Sequence, residues 1–171
     1  MYNTRYWGDF MIRVLYPGSF DPITYGHMNI VEQSCYLFDE VVIAIMKNPN
    51  KNNGFFTFEE RLEVIKELYS KMSNIDVIIG DGAAVDVARL HECKAIIRGL
   101  RGLTDYDYEV QMNQINLDIS GMEIRTVPLF ADKEYQFLSS SIVREVFSLD
   151  KDVSPYVHPL VKEKMLVKKN R

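Results

Sequence analysis

One stretch near the start, Tyr16-Pro-Gly-Ser-Phe-Asp-Pro-Ile-Thr-Tyr-Gly-His27, constrains this chain more than any other. An apolar run, Ile12 to Tyr16, feeds into it, and a helix-like pattern, Met28 to Phe38, leaves it. A strand, a tight turn rich in Gly and Pro, and a helix start together make an anion site. The turn lets backbone approach a ligand closely, and the free N–H groups of the new helix point at it. Ser19 and Thr24 offer hydroxyls within the turn, and His27 opens the helix beside its positive end. Neither the Walker A pattern nor the dinucleotide fingerprint fits, because Gly18 and Gly26 are eight apart and no Gly-Lys-Ser/Thr follows.

The rest of the chain alternates strand and helix signals. Glu40 to Met46 is short, apolar and rich in β-branched residues, which predicts a central strand buried on both faces. Lys47 to Gly54 is a polar loop with Asn, Pro and Gly. Thr57-Phe-Glu-Glu60 is a capping box, and Arg61 to Tyr69 continues it as an amphipathic helix. Further strands are predicted at Ile75–Ile79, Ala95–Arg98 and Glu123–Leu129. Helices are predicted at Ala84–Glu92, Asp105–Ile119 and Ser140–Ser148, with a terminal helix at His158–Lys168. This alternation implies an α/β fold: a single-domain, doubly wound, Rossmann-like sheet of five parallel strands, with helices on both faces and a C-terminal helix.

Such sheets bind ligands beyond the carboxyl ends of their strands, where strand order reverses. The anion turn follows the first predicted strand, Lys51 the second, Gly80-Asp-Gly82 the third and Arg98 the fourth. The loop before Ser139 follows the fifth.

A chain of 171 residues fits one domain, which buries roughly 70% of its unfolded surface. Its net charge of −4 argues against general nucleic-acid binding, which needs many Lys and Arg against phosphates. Cys35 and Cys93 are far apart and read as buried free thiols. No run of 18 apolar residues spans a membrane, and Met1 to Phe10 has no apolar core of a signal peptide, so cytoplasmic residence is expected. Residues 1–10 read as a leader of unknown role, and residues 11–171 as the domain.

Two further segments carry chemistry. Arg98-Gly-Leu-Arg101 sets two Arg three apart at a strand end, suited to two neighbouring anionic groups. Ser139 to Ser141 open a helix, so their hydroxyls and N–H groups form another anion cradle. Asp105 and Asp107 sit in a first helical turn, where the dipole alone favours them.

Thr24-Tyr25-Gly26-His27 resembles the T-x-G-H signature of the nucleotidyltransferase superfamily, and the flanking Tyr-Pro-Gly-Ser-Phe-Asp-Pro resembles its phosphopantetheine adenylyltransferase branch. Tyr135-Gln-Phe-Leu-Ser-Ser-Ser-Ile-Val-Arg144 is similar to the I-S-S-T-x-V-R/K signature, with Leu138 and Ser141 as departures. The likeness covers most of Met11 to Lys168. It implies transfer of the adenylyl group of ATP to 4′-phosphopantetheine, giving dephospho-coenzyme A and pyrophosphate by direct in-line attack. By this resemblance His27, Lys51 and Arg98 are catalytic. Lys51, Arg98, Ser19 and the backbone of Ala84 meet the acceptor. Ser19, Phe20, His27, Gly99, Leu100, Arg101 and Glu109 meet ATP, and Tyr135, Gln136, Phe137, Leu138, Ser139, Ser140 and Ser141 close over it. Ala83-Ala84 stands where the family has a bulkier pair, so packing on pantetheine is looser.

A phosphate monoester has a second pKa near 6, so the acceptor is already dianionic and needs no general base. Charge building on the attacked phosphorus is the harder problem, and a fixed imidazole N–H relieves it. His27 is therefore expected to stabilise the transition state. Mg²⁺ is expected through phosphate oxygens, with no metal held by protein ligands alone. The resemblance also implies a homohexamer and leaves coenzyme A open as a feedback ligand. Two rivals stand beside this reading: a same-fold nucleotidyltransferase with a different phosphorylated acceptor, and a silent nucleotide-binding regulator.

Overall fold

In the computed structural model the apolar runs among the described residues form five strands: β1 (Arg13–Gly18), β2 (Glu40–Met46), β3 (Ile75–Gly80), β4 (Ala95–Leu100) and β5 (Arg125–Phe130). The structure describes residues 11–47, 54–101 and 103–170; the leader and Lys51 lie outside them. All strand pairs are parallel, in the order β3-β2-β1-β4-β5. The chain therefore starts near the middle, winds to one edge, then crosses back to build the other. Strand order reverses between β1 and β4, which opens a crevice beyond their carboxyl ends.

Among the described residues, four helices link the strands, α1 (Tyr25–Leu37), α2 (Phe58–Leu68), α3 (Ala84–Leu90) and α4 (Leu103–Ile119), and two follow β5, α5 (Ser140–Ser148) and α6 (Pro159–Lys169). Alternation along each strand divides its side chains between two cores. Val14, Val41, Ile43 and Ile97 face one side, with Val31 of α1, Ile65 of α2, Val143 of α5 and Met165 of α6. Leu15, Val42, Ala44 and Ile96 face the other, against Val85 and Ala88 of α3. Val41 to Ile45 are fully buried, as expected for a strand covered on both faces.

The structure differs from the sequence reading mainly at element ends. β1 and β4 each continue two residues beyond their predicted ends, because Gly18 stays in register with Ile45 and Leu100 with Phe130. This extension carries Gly18 and Gly99 into the strands beside the cleft that they line. α4 starts at Leu103 rather than Asp105, and an unforeseen 3₁₀ turn spans Lys133–Tyr135. The loop after β5 is tied to α1 from both directions. Asn29 donates to the Asp132 carboxylate at 2.7 Å, and the Asp132 N–H donates back to Asn29 at 3.0 Å.

A buried charge sits behind the turn that follows β1. Asp21 is 5% exposed and precedes a cis peptide to Pro22. Its carboxylate accepts the N–H groups of Phe55 and Phe56, both at 2.8 Å. It also lies 3.4 Å from Arg61 Nε and 3.8 Å from Arg144 Nη1. Burying that charge is tolerable because every part of it has a partner.

Candidate active site

Thr24 ends the turn and caps α1, and its cap has an unusual composition. The Thr24 hydroxyl accepts the His27 N–H at 3.4 Å, while the Thr24 N–H donates to His27 Nδ1 at 3.1 Å. His27 thus fills the place that Glu or Gln takes in an ordinary capping box. Thr24 is 1% exposed and its hydroxyl is engaged in this cap. The bond fixes the tautomer as well. With Nδ1 accepting, the ring proton sits on Nε2.

Phe20 holds the ring from behind. Its backbone is left-handed, at φ 46°, and its side chain is 1% exposed. That twist turns the phenyl ring inward, edge-on to His27 at 5.2 Å and to Tyr16 at 5.3 Å. A Cβ on Gly18 would fall 2.8 Å from the same ring, so only glycine fits there. Burial pushes the His27 pKa down to about 4, and the Arg101 guanidinium adds to the shift. The imidazole is neutral at pH 7 and serves as an N–H donor, not a cation.

The crevice between β1 and β4 is a cleft of about 460 Å³. Ser19 and His27 line it from the first turn, Arg98, Gly99 and Arg101 from the end of β4, and Glu109 from α4. Leu138, Ser139, Ser140 and Ser141 close it from the start of α5. Ten of the expected site residues therefore meet in one place. Tyr16 joins them as a buried neutral phenol, its pKa raised by burial and partly offset by Arg98 and Arg101.

The contacts refine several expected roles. Arg98 and Glu109 form a two-pronged ion pair, with Nε to Oε2 at 2.7 Å and Nη2 to Oε1 at 2.6 Å. Glu109 thus fixes the plane of the Arg98 guanidinium. Ser139 caps α5 by accepting the Ile142 N–H at 3.2 Å, and the Ser140 hydroxyl donates to the Pro22 carbonyl at 2.8 Å. The cradle these serines offer is chiefly the backbone N–H groups of the first helical turn.

Other expected site residues lie outside this lining. Phe20 and Leu100 are buried behind the wall, at 1% and 2% exposure. Ala84 packs at the start of α3 against the second core. Gln136 is exposed. Tyr135 and Phe137 line a second, neighbouring cavity of about 550 Å³, which shares Leu138 with the cleft. The reason is the 3₁₀ turn, which rotates these side chains away from the cleft while delivering the serines to it. Lys51 falls outside the described residues. Tyr16, Pro17, Gly18 and Gly26 also line the cleft, all within the stretch that the sequence marks as an anion site, whereas Ile30 and Ala131 line it without any sequence signal.

A parallel α/β sheet with a phosphate-shaped crevice at its switch point defines a nucleotide-handling domain, and a family model described as cytidylyltransferase-like matches residues 15–146. A phosphopantetheine adenylyltransferase of Thermobifida fusca is 43% identical over 158 residues, covering 92% of this chain and 94% of that protein. One from Finegoldia magna is 46% identical over 145 residues, covering 85% and 88%. Among solved structures, nicotinic acid mononucleotide adenylyltransferase of Plasmodium falciparum, complexed with APC, matches at a TM-score of 0.63. It is 18% identical and covers 94% of this chain and 96% of that one, a likeness of fold alone. The chain belongs to the phosphopantetheine adenylyltransferase family, within the cytidylyltransferase-like nucleotidyltransferases.

The neutral ring has a consequence for pH dependence. Its folded pKa lies below the ordinary value of 6.5, so the unfolded chain binds more protons between about 4 and 6.5. Stability assigned to His27 is full above pH 6.5 and is lost as pH falls toward 4. Denaturant titrations at pH 7 and pH 4.5 should show a larger loss in the wild type than in His27→Asn. Turnover should show no acid limb centred near 6.5 that disappears with His27.

Proposed function

We propose that this enzyme transfers the adenylyl group of ATP to 4′-phosphopantetheine, releasing pyrophosphate and forming dephospho-coenzyme A. The observation that carries this reading is the convergence of His27, Arg98, Arg101 and the α5 N-terminus on one cleft. An acceptor phosphate oxygen attacks the α-phosphorus, a new P–O bond forms, and the bond to the β-phosphate bridging oxygen breaks in line. The dianionic acceptor needs no proton removed. The His27 Nε2–H donates to an α-phosphate oxygen as charge builds there. Arg98 neutralises the incoming phosphate, held at its angle by Glu109. Arg101 and the α5 N–H groups hold the nucleotide phosphates. By the family resemblance Lys51, outside the described residues, is assigned to the acceptor and the transferring phosphate.

Mg²⁺ enters with ATP as part of the substrate. Glu109 is the one carboxylate among the described lining residues, and Arg98 takes both its oxygens. The described residues thus fit an ion carried by triphosphate oxygens and water rather than by a protein cage. A homohexamer belongs to the same proposal. It is supported by the exposed apolar residues Val110, Ile115 and Ile119 on α4 and by Phe130 on edge strand β5, which is 68% exposed. Coenzyme A carries the acceptor's pantetheine arm and is proposed to compete at the cleft as feedback ligand. Among the described residues no helix is long and apolar enough to cross a membrane. Cytoplasmic residence is part of the proposal.

The test is pyrophosphate release from ATP with 4′-phosphopantetheine, nicotinamide mononucleotide or glycerol 3-phosphate as acceptor. Release with 4′-phosphopantetheine should exceed the others by at least about 10²-fold, because a site built to pair polar substrate groups rejects acceptors lacking them. Equal rates, or none with phosphopantetheine, would refute the assignment.

A further inference from the structure

Asp21, Arg61 and Arg144 lie outside the cleft lining, yet they join three pieces of chain, two of which form it. Arg61 is 7% exposed and spreads its guanidinium between two segments. Nε and Nη2 donate to the Phe56 carbonyl at 2.9 and 2.6 Å, while Nη1 donates to the Ser19 carbonyl at 3.1 Å. Ser19 is one of the cleft-lining residues in the turn after β1. Arg144, on α5, donates to the Asp21 carbonyl and to the Ser141 hydroxyl, the latter at 3.4 Å. The Asp21 carboxylate sits between both arginines and accepts the Phe55 and Phe56 N–H groups. The approach is close: a Cβ on Gly54 would fall 1.9 Å from Arg61 Nη2 and 2.8 Å from Asp21 Oδ2.

From this geometry we infer that Asp21, Arg61 and Arg144 are positioning residues for the transfer reaction, fixing the distance between the His27 turn and the serine helix across the nucleotide phosphates. The inference rests on the function proposed above. In-line attack tolerates little error, since a misplacement of about 1 Å can cost roughly 10² in rate. A guanidinium fork holds two carbonyls of different segments at once. A lysine ammonium on a flexible stem keeps the charge but lacks the planar fork that locks both. The cluster therefore acts on rate through alignment, and ground-state ATP binding should feel it less.

Arg61→Lys and Arg144→Ala test this, with turnover counted per folded molecule and ATP affinity measured separately by equilibrium titration. The Arg144 side chain is 36% exposed, so its removal leaves no deeply buried hole. Both variants should lower kcat by about tenfold or more, with ATP affinity changed less than about threefold. Arg144→Ala that keeps kcat within about twofold of wild type overturns the positioning role. A wild-type enzyme that releases no pyrophosphate with 4′-phosphopantetheine instead overturns the functional reading, which separates the two failures.

Discussion

Removing the imidazole in His27→Ala lowers turnover by about 10²-fold or more, a loss of a few kcal/mol of transition-state stabilisation. ATP affinity changes little, because the donor matters most when charge collects on the α-phosphate oxygens. In the structure three features hold the ring in one orientation and one protonation state. Thr24 N–H locks Nδ1 as the acceptor, Phe20 packs edge-on behind the ring, and burial keeps the ring neutral. Each constraint removes a way for the Nε2–H to wander. Steady-state kinetics alongside nucleotide titration decide the matter, and unaltered turnover would remove His27 from the mechanism.

The largest expected effect on stability comes from Asp21→Asn. The substitution is nearly isosteric, but it removes a charge shared by two guanidinium groups and replaces one acceptor with a donor facing N–H groups. Breaking a buried, fully partnered ionic cluster from one side costs about 3–5 kcal/mol. For a domain of this size the thermal midpoint should fall by about 10 °C. Chemical denaturation with an unchanged m-value would confirm a native-state origin. A loss under about 1 kcal/mol would mean that the cluster is solvated and weakly coupled.

Much of this architecture was legible in the residues. Buried parallel strands announce themselves as β-branched runs, so β2 was readable from Glu40–Met46 alone. The turn at Tyr16–His27 pointed to an anion site because Gly, Pro and a helix start coincide there. The family signatures then pointed to the chemistry. What escaped was long-range or conformational. The capping box at Thr24 carries His in the place of Glu or Gln, so the usual pattern does not flag it. The left-handed backbone of Phe20 hides its ring in the core, which no periodicity predicts. The Arg98–Glu109 pair depends on the helical phase of α4 relative to β4. Arg144 meets Asp21 across a separation of 123 residues, a contact only the folded sheet can make.

Stereochemistry at the transferred phosphorus tests the central claim most directly. ATP made chiral at its α-phosphorus, reacted with 4′-phosphopantetheine on the wild-type enzyme, should give dephospho-coenzyme A with inverted configuration, because one in-line displacement inverts once. Retention would require a covalent adenylyl-enzyme and two displacements. That outcome, or the absence of this product, would contradict the direct transfer proposed here.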